Sequence, residues 1–131
     1  MPGQAIHSVS VVIPVYGGNA TLNEVVSELS QFYTAQMSQG GNRFRIAEVI
    51  LVDDCGEDNS ALVMRELASK DDHVVPVWLT RNFGQHAATI AGMASSSNEW
   101  VVTMDEDGQH NPASIGALID TALHCESPLV Y

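Results

Sequence analysis

The sequence predicts an α/β fold with a mostly parallel sheet and helices on both faces. Strand-length apolar runs recur along the chain: VSVVIPV (9–15), IAEVILV (46–52), VVPVWL (74–79) and EWVVTM (99–104). They are β-branched and nearly continuous rather than alternating, as expected of strands covered on both sides. Between them lie stretches with apolar residues at helical spacing, and repeated β-α units of this kind join parallel strands through right-handed crossovers.

Taken in order, the run 9–15 is the first strand. Thr21 with Glu24 three residues on reads as a capping box. Leu22, Val25, Val26, Leu29, Phe32, Tyr33 and Met37 then recur at helical spacing, and Gly40-Gly41 can end that helix. The run 46–52 is the second strand, and Asp58 or Asn59 can cap a helix whose apolar face includes Leu62, Val63 and Leu67. In the third strand, 74–79, Pro76 points to an edge position or a strand start. Residues 85–95 have a helical pattern, 99–104 form a fourth strand, and Asn111-Pro112 starts a helix over 112–124. PLVY (128–131) reads as the start of a fifth strand.

The 131 residues fit one domain, 1–131, and 45% of them are hydrophobic, enough to build a core. Net charge is −11, from 16 acidic residues against 5 Lys and Arg. Nucleic acid is therefore excluded as partner, because its phosphates require a basic face. A nucleotide is not excluded, since a divalent cation can join carboxylates to phosphates. Cys55 and Cys125 are far apart, which argues against a disulfide framework or zinc site and for a reducing compartment. The N-terminus has no basic-then-apolar leader, and no apolar stretch approaches the about 20 residues that span a bilayer. The chain as given is expected to be soluble.

In doubly wound sheets, ligands bind beyond the carboxyl ends of the strands. Here those positions hold Tyr16-Gly17-Gly18-Asn19, Asp53-Asp54, Thr80-Arg81-Asn82 and Asp105-Glu106-Asp107. Asp105 and Asp107, two apart, can share one side of an extended turn, and Gln109 continues the series with a neutral oxygen. Oxygen donors without a nearby cysteine suit Mg²⁺ or Mn²⁺. Spacing alone leaves the alternative open: a solvated acidic turn leading into a helix capped by Asn111. An EF-hand is excluded, because its glycine position falls on His110 and its final glutamate position on Gly116.

Asp53-Asp54 can hydrogen-bond a base or ribose or support a metal, or can form an Asx turn. Arg81 can contact a phosphate, or pair structurally with Asp105 or Asp53. His86 reads as a packed residue at a helix start, His110 as a loop residue, and Cys55 as a turn residue without thiolate activation.

The ordered set IPVY, VDDCGEDNS, RNFGQHAA and MDEDGQHNP resembles family 2 glycosyltransferases, most of all their polyprenyl-phosphate branch, over about residues 8 to 131. The resemblance implies a GT-A fold, a nucleoside diphosphate sugar donor and a divalent cation. It implies that Pro14, Tyr16, Asp53 and Asp54 line the nucleoside pocket. Asp105 and Asp107 then form the catalytic DxD element, and Gln109 assists the metal. Arg81 and Asn82 match the RN-x-G segment, so Arg81 joins the donor-binding set. Glu106 belongs to the same set but replaces a small residue, and must turn away from the diphosphate. Gly17-Gly18 replace the usual Asn-Glu, and Cys55-Gly56 the usual Gly-Ser. The RNFGQHAA segment is similar to that of enzymes using UDP-sugars.

By the same resemblance, members continue past this length with acceptor-binding and membrane-associated segments. The chain is thus expected to be the donor-binding N-terminal portion of a longer enzyme and inactive alone. The full-length enzyme would be cytoplasmic, at the inner face of the membrane, acting on a lipid phosphate or saccharide acceptor. A homo-oligomer is compatible with this reading. A competing reading is a receiver-like signalling domain with clustered aspartates, but it needs a lysine at a late strand end, and the only lysine is Lys70.

Overall fold

A computed structural model describes residues 6–15, 19–53, 60–81, 84–104 and 114–125. Their elements run β1 (His7–Val15), α1 (Asn19–Ser30), β2 (Gln36–Met37), β3 (Arg43–Asp53), α2 (Ser60–Lys70), β4 (Val74–Trp78), α3 (Gln85–Ala94), β5 (Trp100–Thr103) and α4 (Ser114–Cys125). The expected strand PLVY (128–131) lies outside the described residues.

The described strands form one five-stranded sheet in the order β2-β3-β1-β5, with β4 also paired to β3. β1, β3, β4 and β5 are mutually parallel, and the two-residue β2 is antiparallel to the start of β3. Among the parallel strands, counted along the chain, the spatial order is third, second, first, fourth. This is the Rossmann-type order, and Pro76 lies on the outer strand, as its missing N–H requires. A receiver-like domain sets its first strand between its second and third. Here the first lies between the second and fourth, so the signalling reading is withdrawn.

Strand alternation divides the core into two layers. Val9, Val11, Ile13 and Val15 of β1, with Val49 and Leu51 of β3, pack with Leu22, Val25, Leu29, Met64, Ile115 and Ile119 of α1, α2 and α4. Val12, Ile50 and Val52 face the other way, onto Ala88 of α3. Gly92 lets α3 lie close to the sheet, because a Cβ there would collide with Val12 Cγ1 and meet Val52 Cγ2 at 3.0 Å. A bulge interrupts the β1–β3 register: Val9 pairs with Ile46 but Ser10 with Glu48, leaving Ala47 extra. Phe44 and Ile46 before it therefore share a layer with Val49 and Leu51 after it.

The first helix is shorter than the periodicity predicts. It begins at Asn19, so Thr21 is an interior residue rather than the N-cap, and it ends at Ser30. Gln31, Phe32 and Tyr33 continue in i→i−3 backbone bonds, and the Phe32 carbonyl accepts from Ile46 N at 2.8 Å instead of extending the helix. Gly40 and Gly41 sit in the β2–β3 turn, where Gly41 takes φ 85°. This turn is tied to α4. Asp120 accepts from Ser38 Oγ at 2.5 Å, Asn42 Nδ2 at 2.7 Å and Gly40 N at 2.9 Å.

Candidate functional site

Because β1, β3, β4 and β5 are parallel, their carboxyl ends share one edge, at Val15, Asp53, Trp78 and Thr103. Tyr16, Asp54, Asn82, Asp105, Glu106, Asp107 and Gln109 follow these ends in sequence and lie outside the described residues, as does His110. Pro14, Asp53 and Arg81 are described.

The order of the parallel strands reverses between β1 and β5, which places the topological switch point, the usual ligand crevice of such sheets, between their carboxyl ends. The last β1–β5 partners are Val12 and Thr103, and Met104 N donates to Val12 O at 2.9 Å. Val12 therefore directs its backbone polar groups toward β5, and Pro14, two residues on, faces the same way. Its missing N–H falls just beyond the last β5 pairing, so a proline costs no sheet bond there. Pro14 thus stands at the mouth of the crevice from which residues 16–18 and 105–113 lead away in sequence.

Asp53 is the last residue of β3, half-buried, with its carbonyl accepting from Leu79 N at 3.0 Å. In register it lies between Val15 of β1 and Trp78 of β4. Arg81 is exposed three residues past β4, which leaves a guanidinium on the same edge as Asp53. Gly84, with φ 94°, precedes α3, and its carbonyl accepts from Ala88 N at 3.0 Å. His86 is exposed on the first turn of α3, not packed as its position at a helix start suggests.

Sequence reading passed over two groups, one at this edge and one toward the amino-terminal edge of the sheet. Trp78 is 41% exposed, and Arg65 of α2 lies over its ring at 4.9 Å from the centroid. The signal for Trp78 was strand alternation: Val75 and Val77 pack toward α3, so Trp78 must face the α2 side. The second group is a polar cluster beneath the end of α3. Glu48 Oε1 accepts from buried Ser10 Oγ at 2.7 Å, from Ser97 N at 3.0 Å and from Ser97 Oγ at 3.3 Å. It ties the α3–β5 connection to the sheet and thereby fixes where β5 enters.

Among the described residues no group of three His, Cys, Asp or Glu side chains could hold a metal ion. The donor set of the acidic segment, two carboxylates and an amide oxygen, is chemically suited to a hard divalent cation. Among the described residues no helix is long and apolar enough to cross a membrane.

Comparison with known proteins agrees with this geometry. The family model described as Glycosyl transferase family 2 matches residues 10–127. The chain is 41% identical over 118 residues to an undecaprenyl-phosphate 4-deoxy-4-formamido-L-arabinose transferase of Pseudomonas fluorescens, covering 89% of this chain and 33% of that protein. A protein of the same name from Proteus mirabilis is 38% identical over 120 residues, with 91% and 35% covered. The chain thus spans about a third of the length of these curated relatives. In fold it is similar to S. aureus TarS 1–349 in complex with UDP-GlcNAc (TM-score 0.67, 19% identity, 89% of this chain and 31% of that one). It is also similar to the mannosyltransferase PcManGT from Pyrobaculum calidifontis in complex with GDP-Man and Mn²⁺ (TM-score 0.69, 17% identity, 90% and 33%). These likenesses identify the sheet and its helices as the GT-A arrangement.

Proposed function

The chain belongs to glycosyl transferase family 2, and from that premise we propose that it is the donor-binding unit of a metal-dependent, inverting glycosyltransferase. It takes a nucleoside diphosphate sugar, with UDP-sugars favoured, and the acceptor is a polyprenyl phosphate. The switch point between β1 and β5 carries this reading. It brings the strand end before Tyr16 and the strand end before the Asp105–Asp107 segment to one crevice, with Asp53 one strand away. The named function of the undecaprenyl-phosphate relatives supports the acceptor, and the nucleotide sugars in complex with the solved neighbours support the donor.

Pro14, Tyr16, Asp53 and Asp54 line the nucleoside side of the site. Asp53, at the strand end, accepts a hydrogen bond from the base or ribose. Asp105, Asp107 and Gln109 hold Mg²⁺ or Mn²⁺, which when bound supplies positive charge to the leaving diphosphate. Arg81 adds a cation on the same edge, and a Glu106 carboxylate directed at the phosphates would repel them. A phosphate acceptor is mostly ionised near neutral pH, its second pKa being about 6, so attack on the anomeric carbon calls for little general-base help from the chain.

The 131 residues act as one nucleotide-sugar-binding unit of a longer enzyme at the cytoplasmic face of a membrane, and membrane association belongs to other parts of that enzyme. Calorimetric titration of UDP and GDP, with and without Mn²⁺, into the chain and its Asp107→Ala variant tests the reading. Metal-dependent binding that the variant loses is expected. Equal, metal-independent binding by both proteins overturns it.

A further inference from the structure

At the carboxyl edge of the sheet, the register aligns Val15, Asp53 and Trp78 in one row across β1, β3 and β4. All three fall on the face covered by α1 and α2, because they keep the alternation of Ile13, Leu51 and Val74, which are buried there. Exposure rises along the row: Val15 is buried, Asp53 half-buried and Trp78 41% exposed. An indole is among the most costly side chains to leave in water. Arg65 over its ring holds the indole in one orientation, so a planar ligand meets a surface already in place.

A strand-end carboxylate beside an oriented, solvent-facing indole suits one class of ligand, a planar heteroaromatic ring with N–H donors. We propose that Trp78, held by Arg65, is a base-stacking residue of the donor site, beside the carboxylate that chooses among bases. The base lies against the indole while Asp53, one strand away, accepts from a ring N–H. Uracil and guanine present such an N–H on the edge that pairs. Adenine and cytosine present an acceptor nitrogen there, which a carboxylate repels. The inference rests on the nucleotide-sugar reading above and adds to it a residue that stacks on the base.

The chain carries two tryptophans, and the test uses this. Trp100 pairs with Val9 toward the opposite edge of the sheet, its Nε1 donating to His7 Nδ1 at 3.1 Å. Trp100→Phe therefore leaves Trp78 as the one indole reporter. Titrating UDP with Mn²⁺ into this variant is expected to quench its emission. Trp78→Leu is expected to weaken UDP binding about ten-fold, as loss of one base–aromatic stack does. Inorganic pyrophosphate with Mn²⁺ should bind Trp78→Leu and wild type alike, and Trp78→Phe should regain most of the UDP affinity. Unchanged emission in Trp100→Phe while calorimetry records UDP binding overturns the inference, without requiring Trp78→Leu to fold. Wild-type UDP affinity in a folded Trp78→Leu overturns it equally. A wild-type chain that binds neither UDP nor GDP with metal overturns the nucleotide reading and this inference with it.

Discussion

Asp120 of α4 and Ser38 of the β2–β3 turn, 82 residues apart in sequence, share a hydrogen bond of 2.5 Å. Burial pushes the Asp120 carboxyl up, but the bonds from Ser38, Asn42 and Gly40 together outweigh it and hold the group below the usual carboxylate range. The depressed value means that this stabilisation is present above the unfolded carboxylate pKa and is lost as pH falls through the folded one. Urea unfolding should show Asp120→Ala less stable by about 2 kcal/mol at pH 7. The gap between variant and wild type should narrow as the pH is lowered through the folded carboxylate pKa.

Tyr33 behaves in the opposite sense. Burial first, then its 2.7 Å hydrogen bond to Asp71 and the charge of that carboxylate, push its phenol well above the usual tyrosine value. The chain has three tyrosines. Ultraviolet titration should find one that stays protonated well past the range in which an exposed phenol ionises. This contribution to stability is intact below the ordinary tyrosine pKa and is lost as pH climbs from there through the folded value. Tyr33→Phe should remove that part of the alkaline loss, at the cost of leaving Asp71 without its phenol.

Gly92→Ala should lift α3 from the sheet, since the added methyl meets Val12 and Val52 on neighbouring strands. Overpacking of this kind costs about 1–3 kcal/mol. It exceeds the about 1 kcal/mol that alanine gains over glycine in a helix, so thermal unfolding should record a lower midpoint. A higher one would mean that the sheet yields at no cost.

Replacing Glu48 by Ala leaves the buried Ser10 hydroxyl without its acceptor and frees the Ser97 amide. The loss should be about 1–3 kcal/mol. Hydrogen exchange should show the Ser97 amide deprotected before the β1 core.

Asp53→Ala tests the nucleoside side of the site. With the strand-end carboxylate gone, UDP affinity should fall by about 1.5–3 kcal/mol, the worth of a hydrogen bond to a charged group. Pyrophosphate affinity should hold. Equal losses for both ligands would assign Asp53 to the phosphate or metal side instead.

The strands and the carboxyl edge were legible in the sequence because β-branched continuity and strand-end polarity are local signals. Asp53 could be placed from VILVDD alone, and so could the edge position of Pro76. The end of α1 could not. Phe32 and Tyr33 keep helical spacing, yet Phe32 stacks on Phe44 at 6.2 Å and Tyr33 on His73 at 3.9 Å, partners that a helical period does not reveal. Asp120 and Glu48 were illegible for a related reason: a polar side chain whose partners lie tens of residues away leaves no pattern beside it. Trp78 was legible in part, since alternation gives its face but not the guanidinium above it.

The unpaired Ala47 has a consequence for how β3 tolerates change. The bulge resets the phase of the strand, so its two halves point their apolar residues into one layer although their numbering parities differ. Deleting Ala47 would leave a regular strand in which Phe44, Ile46, Val49, Leu51 and Asp53 alternate into the same layer. Adding one residue without a second bulge would instead force a choice. Either Phe44 and Ile46 turn out of the layer beneath α1, or Asp53 swings to the α3 side and breaks its row with Trp78. An insertion in the first half of this strand would thus be read at its far end.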